Sequence, residues 1–168
     1  GYFYGIYVDN KVVTEFKRDI PAELINKHPD VVVAMVRKNC DALLWFIKHF
    51  MLLKEQGNGA LIKPKWELAA KNLAQAFVHT WKTNGELGQY VDVKTGEIVV
   101  YNSTAAAIAP AGLVLASKYF DEPIYLSKAI DIANYYYNRD VVNLGLTSGH
   151  CGDISQDADV ESGYGFLE

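Results

Sequence analysis

From Trp81 to Glu168 the chain reads long loop, helix, tight turn, helix, long loop, and then the opening of another helix. This alternation restricts the fold more than any other feature. The first loop covers residues 84–101, the tight turn is Phe-Asp-Glu-Pro-Ile over 120–124, and the second loop is the Gly-rich, acidic stretch 145–163. In consecutive antiparallel helices, alternate connections lie at the same end. Both long loops are therefore expected at one end and the tight turn at the other. Loops on a rigid scaffold carry function, so the loop end is where a site is sought.

The remaining elements follow from periodicity and punctuation. Tyr2–Phe16 reads as a β-hairpin about Asp9-Asn10, residues that tolerate a left-handed backbone, with the extended region reaching residue 20. Residues 29–56 read as a helix with Pro29 in its first turn and Gly57 and Gly59 at its exit. Val32, Val36, Leu43, Ile47 and Phe50 share one face, and from Ala42 to Leu53 the apolar character runs almost all round, as in a helix covered on several sides. His49 interrupts it without a partner at ligand spacing, which is the pattern of a rim histidine. A second helix spans 64–83 with Trp66, Ala69, Leu73, Ala76, Phe77 and Trp81 as its stripe and Asn84-Gly85 as its close.

Within the first loop, 88–93 and 97–101 alternate about Lys94-Thr95-Gly96, which predicts a small hairpin in the 85–103 region. Ser103 or Thr104 is expected to cap a helix over 104–120. Pro110 should kink or restart it, since an interior proline costs about 3 kcal/mol. Its Ala and Gly residues make it slim, so neighbours can approach closely. Asp121 is read as the cap of a fourth helix over 123–141, with Leu126, Ala129, Ile130, Ala133 and Tyr137 inward. The class is mainly α, one helical domain over residues 1–168, with a further helix opening over 160–168.

Half of the residues are apolar, which suffices for a core, and the formal net charge is −4. No Lys/Arg cluster interleaved with aromatics occurs, which argues against nucleic acid and against an anionic membrane surface as partners. No uncharged apolar run is long enough to span a bilayer. The spacing of Cys40 and Cys151 demands no disulfide, so the compartment stays open.

The Gly-rich hairpin with Lys-Thr-Gly-Glu (94–97), the small-residue helix, and Lys-Tyr-Phe-Asp-Glu-Pro-Ile-Tyr-Leu-Ser-Lys-Ala (118–129) together resemble the repeat unit of the (α/α)6-toroid, six-hairpin glycosidases. Tyr119, Asp121, Tyr125, Leu126 and Ala129 match the usual turn, whereas Phe120 stands where glycine is common. The run from Gln156 to Glu168 is similar to the start of the next inner helix. The resemblance covers about half the chain. It implies antiparallel helical hairpins of a partial α/α toroid, truncated at the C-terminus, because a whole toroid needs several more hairpins. It also implies a fragment of a carbohydrate-active enzyme, most readily a glycoside hydrolase, with an oligo- or polysaccharide as partner and a periplasmic or extracellular setting. A polysaccharide lyase or sugar epimerase is the alternative within the class. A non-catalytic helical scaffold or sugar-binding module is the alternative outside it. A partial toroid exposes helix faces that are normally covered, so self-association through them is expected.

The acidic run Asp153, Asp157, Asp159, Glu161 is the strongest chemical signal. Glycoside hydrolysis needs one protonated carboxyl and one ionised carboxylate, and neighbouring carboxylates raise one another's pKa. Asp157 and Asp159 are the expected catalytic pair, with Glu161 second, and Gln89, Tyr90, His150 and Gln156 are expected to bind sugar hydroxyls. The plainer reading is an acidic cap at a helix N-terminus. No cofactor is expected. Asp157-x-Asp159-x-Glu161 approaches a calcium loop, but Gly falls at the seventh position, not the sixth, leaving only an irregular calcium site open. Zinc lacks a ligand pair, and Cys151 beside His150 lacks an orienting third group.

Overall fold

A computed structural model of the chain describes residues 1–13, 31–149 and 158–168. The protein is mainly α, with two small antiparallel sheets. Strands β1 (Ile6–Val8) and β2 (Lys11–Val13) pair with Ile6 opposite Val13, as the N-terminal hairpin pattern predicts. Asp9 and Asn10 form the turn with φ of 47° and 60°, the paired left-handed geometry that matches strand twist. Upstream of it, Tyr2 inserts into the helical core, its hydroxyl 2.7 Å from Thr80 Oγ1 and its ring edge-on to Phe77 at 5.5 Å.

The first helix starts later than Pro29, which itself lies outside the described residues. Val33–Met35 is strand β3, and helix α1 (Val36–Glu55) begins directly after it. β3 pairs with β4 (Tyr90–Asp92), which pairs with β5 (Ile98–Val100), giving the order β3-β4-β5. The expected loop hairpin is thus present, and it recruits a third strand. The β-branched run Val31-Val32-Val33 favours extended backbone, and the ladder to β4 overrides the helical spacing of Val32 and Val36. The Val36 N–H donates to Gln89 O at 2.9 Å, joining helix start to sheet edge.

Helix α2 (Pro64–Asn84) closes on Gly85 at φ 73°, as expected. The 104–120 helix is split. Ser103 Oγ accepts from Ala105 N–H at 3.0 Å and caps a 3-10 turn, Thr104–Ala106, and helix α3 (Ala109–Phe120) restarts with Pro110 in its first turn. There the missing N–H costs nothing. A Cβ on Gly112 would lie 3.2 Å from Leu43, so α3 packs on α1 as closely as its small residues allow. Asp121 does not cap the fourth helix: it ends α3 in the left-handed conformation, φ 54°. Ser117 Oγ donates to Glu122 O, and the Glu122 N–H donates to Ser117 O, so the chain reverses too sharply for an Asp N-cap. Helix α4 (Pro123–Tyr136) follows, and its continuation, Tyr137–Leu144, is wound as a π-helix.

The core gathers Val36, Cys40, Leu43, Ile47 and Phe50 of α1, Leu73 and Phe77 of α2, Leu113 of α3 and Ile132 of α4. Each such large side chain contributes about 1.5–3 kcal/mol by leaving water. Two expected faces turn outward. On α4 the buried stripe is Tyr125, Ala129, Ile132 and Tyr136, whereas Leu126, Ile130, Ala133 and Tyr137 are exposed. On α1 Trp45, Phe46 and Leu52 are exposed, so that helix is covered by several neighbours but not all round, and Trp66 of α2 is also outside the core. Both helices carry two apolar stripes, and periodicity alone does not say which one packs. His49 is exposed at the rim.

Candidate functional site

The two long connections meet. Thr104 N–H donates to Ser148 O at 3.0 Å, and Ser148 N–H donates to Thr104 Oγ1 at 3.1 Å. Gly149 has φ 85°, and a Cβ there would sit 2.0 Å from Ser103 Oγ, so only glycine permits this approach. The tight turn lies at the other end, where Glu122 pairs with Lys71 at 2.9 Å, and Lys54 and Tyr119 converge on Glu67. For the described residues, the bases of the two loops therefore lie together and the turn at the other end, as expected.

Behind the loop end lies a buried ionic network on residues not anticipated as a site. Glu86, from the start of the first loop, and Asp140, from the π-helical segment, are 5% and 2% exposed. Arg139 joins them: Nη1 donates to Glu86 Oε2 at 3.1 Å, Nε to Asp140 Oδ1 at 2.5 Å and Nη2 to Asp140 Oδ2 at 2.9 Å. Glu86 also accepts from the Asn102 N–H and the Tyr135 hydroxyl, each at 3.0 Å. The guanidinium lies near the Tyr135 and Tyr136 rings, at 5.3 and 5.0 Å. Burial alone would depress the Arg139 pKa, but hydrogen bonds to Asp140 and its charge raise it overall, so the cation is secure. Burial pushes the Tyr136 hydroxyl well above its ordinary value, and its oxygen accepts from Leu87 N–H at 3.1 Å. The sequence holds one weak hint of this network, adjacent opposite charges after an apolar helix. Adjacent charges at a helix end usually face solvent, so that hint does not reveal burial.

Asp159 is held at the base of the second loop. Its N–H donates to Thr147 O at 2.9 Å, and Thr147 Oγ1 donates back to Asp159 O. Its carboxylate accepts from Ser162 N–H at 2.6 Å and from Ser162 Oγ at 3.1 Å. These bonds hold the carboxylate at the approach to the 3-10 turn Ser162–Phe166, which stands where a further helix was expected to open. A cavity of about 520 Å³ opens here, with Asp140, Thr147 and Asp159 as polar lining and Val141, Leu146 and Val160 as apolar lining. Glu161 is exposed and does not line it. Gln89 and Tyr90 are buried, and neither lines this cavity. Tyr90 packs with Val31, Val33, Met35 and Val100, because pairing β4 between β3 and β5 turns its side chain into the small second core. His150, Gln156 and Asp157, with Cys151 and Asp153, lie outside the described residues. Among the described residues no group of three His, Cys, Asp or Glu side chains is placed to hold a metal ion.

The loop end thus brings Asp140, Thr147 and Asp159, from separate segments, and an apolar wall together around one cavity, with the Asp140 carboxylate itself buried against Arg139. No protein-family model, curated protein or solved structure matches the chain, so the reading of this site rests on its geometry.

Proposed function

We propose that the loop end takes up a saccharide, as one wall of the cleft of an α/α-toroid-type carbohydrate-active enzyme, a glycoside hydrolase before a lyase or epimerase. The observation that carries this reading is the single cavity lined by Asp140 and Asp159 from different segments, with Thr147 and apolar residues beside them. Carboxylate oxygens retain acceptor capacity for sugar hydroxyls after one or two bonds, and apolar walls suit the C–H faces of a ring. Both carboxylates already hold structural partners, Arg139 and Ser162. A hydrolytic pair needs one carboxyl protonated and able to reach the leaving oxygen. In this chain Asp140 and Asp159 therefore bind, and turnover requires a carboxylate from elsewhere, such as Asp157. A lyase or epimerase wants a tyrosine or histidine base. Tyr135 fits poorly, because burial raises its pKa and its hydroxyl donates to Glu86.

Titration calorimetry of the 168-residue chain against neutral and acidic oligosaccharides tests the proposal. Weak binding, with a Kd of order 1 mM, is expected. Leu146→Trp, which fills the cavity from an exposed position, should weaken it by about tenfold, or 1.4 kcal/mol. Binding unaffected by that substitution would place the sugar elsewhere. If no saccharide binds, the second reading gains: a non-catalytic helical scaffold in which Asp159 serves only to hold Ser162.

A further inference from the structure

Asparagine followed by glycine can rewrite its own backbone. The glycine nitrogen attacks the asparagine Cγ, a C–N bond forms, ammonia leaves, and a five-membered imide results. Water then opens either carbonyl of the ring. The products are aspartate and isoaspartate, in which the chain runs on through Cγ. Water enters and ammonia leaves, and nothing is oxidised or reduced. Glycine favours the reaction because it has no Cβ to hinder the rotation that brings its nitrogen to Cγ. The sequence holds this pair twice, at Asn58-Gly59 and at Asn84-Gly85, and the fold treats the two differently.

Asn58-Gly59 lies in the connection between α1 and α2, and Asn58 is exposed. Among the described residues neither the Asn58 side chain nor the Gly59 N–H is hydrogen-bonded. The attacking nitrogen and the carbon it attacks are thus both unengaged. Turning the Asn58 carbonyl to form the ring breaks one turn bond, from Leu61 N–H to Asn58 O at 3.0 Å, which is a small local opening. Asn84-Gly85 is clamped instead. Asn84 is the last residue of α2, and its Nδ2 donates to Thr80 O at 3.0 Å. The Gly85 N–H donates to Trp81 O at 2.9 Å. Directly after it, Glu86 pairs with Arg139 and Leu87 N–H donates to the Tyr136 hydroxyl. Bringing Gly85 N to Asn84 Cγ therefore unwinds the end of α2 and disturbs the buried network beside it.

We infer that Asn58 is a self-modification site of the folded protein, converting to aspartate and isoaspartate without an enzyme, while the fold protects Asn84. The conversion adds a negative charge between α1 and α2 and leaves the residues lining the loop-end cavity unchanged.

Incubating the native and the urea-unfolded chain side by side in mildly alkaline buffer tests this. Trypsin then releases residues 55–65, which carry Asn58, and residues 83–94, which carry Asn84. Mass spectrometry reads amide-to-acid conversion, and an isoaspartyl methyltransferase assay reads isoaspartate. In the native chain the 55–65 peptide should convert nearly as fast as in the unfolded one. The 83–94 peptide should convert more slowly in the native chain by about tenfold or more, because it waits for a larger opening. Gly59→Ala keeps the fold, since its Cβ would meet Lys54 Cγ at 3.4 Å, an ordinary contact. It should slow conversion at Asn58 by about tenfold, because the added Cβ restricts the rotation. Equal protection of both peptides in the native chain overturns the inference, as does conversion of Asn84 ahead of Asn58. Conversion at Asn58 that is indifferent to Gly59→Ala overturns the imide route.

Discussion

Replacing Arg139 with Met tests what holds the loop end together. The side chain makes three charge-assisted bonds to Glu86 and Asp140, and its removal leaves two carboxylates buried beside each other without a cation. The methionine retains most of the apolar stem that packs near Tyr135 and Tyr136, so the loss is mainly electrostatic. Breaking a buried pair by removing one partner costs about 3–5 kcal/mol. For a chain of this size each kcal/mol lowers Tm by roughly 2–4 °C, so a fall of about 6–20 °C is expected. Glu86→Gln in the same background should recover part of the loss, because it removes one of the two buried carboxylates. Differential scanning calorimetry measures both. A deficit under about 1 kcal/mol, or no recovery on adding Glu86→Gln, would refute the reasoning, since it would mean that water already solvates the two carboxylates.

Alkaline unfolding is expected to begin where the unfolded chain starts to lose protons from Cys and Tyr, with ordinary values of 9.0 and 10.0. Burial raises Tyr2, Cys40 and Tyr136 in the folded state, so their contribution is complete below those values and is lost as pH rises; tyrosinate absorbance should step up together with loss of helical dichroism, and gradual titration of all eleven tyrosines without unfolding would contradict it. Gly149→Ala should destabilise by about 2 kcal/mol or more, through the clash with Ser103 Oγ and the left-handed backbone, and chemical denaturation will show it. Ser103→Gly should relieve the clash but not the backbone strain, so a double variant as weak as Gly149→Ala alone would leave the close approach without energetic weight.

The elements that were legible in the sequence are those specified by local chemistry. Asp9-Asn10 predicts its turn from residues that accept positive φ, and Pro64 and Gly85 bound α2 by start and stop preferences that need no tertiary context. Pro110 predicts the restart of α3 for the same reason. The errors arise where a distant partner decides. Val33–Met35 is a strand because β4 lies beside it. Asp121 serves the end of α3 because Ser117 and Glu122 close the turn. On α4, Leu126 and Ile130 satisfy helical periodicity as well as Ala129 and Ile132 do, and only the placement of α3 selects the second set. Of the candidate site, Asp159 was legible as part of an acidic run before a helical turn, but its bonds to Ser162, three residues on, depend on the local path of the chain. Glu86 and Asp140 were not legible, because burial of a charge depends on an arginine whose reach is set by the fold.

The two ends of the helices are held by interactions of different kinds, and this bears on where a ligand can act. At the turn end the ion pairs are at least partly exposed: Lys54 to Glu67 at 3.5 Å and Lys71 to Glu122 at 2.9 Å. Such pairs contribute little and are screened by salt. At the loop end, Arg139, Glu86 and Asp140 are shielded, the Thr104–Ser148 bonds join segments 44 residues apart, and the Thr147–Asp159 bonds close the base of the second loop. Loops are ordinarily the least constrained parts of a fold, and here the base of each is pinned by bonds that salt screens poorly. Held in this way, the residues around the cavity lose little freedom if a ligand binds there, as the proposed binding wall requires. The same bonds limit what these carboxylates can do in catalysis. A group engaged by Arg139 or by Ser162 is fixed in place by those bonds, which suits the recognition of a hydroxyl better than movement toward a leaving oxygen.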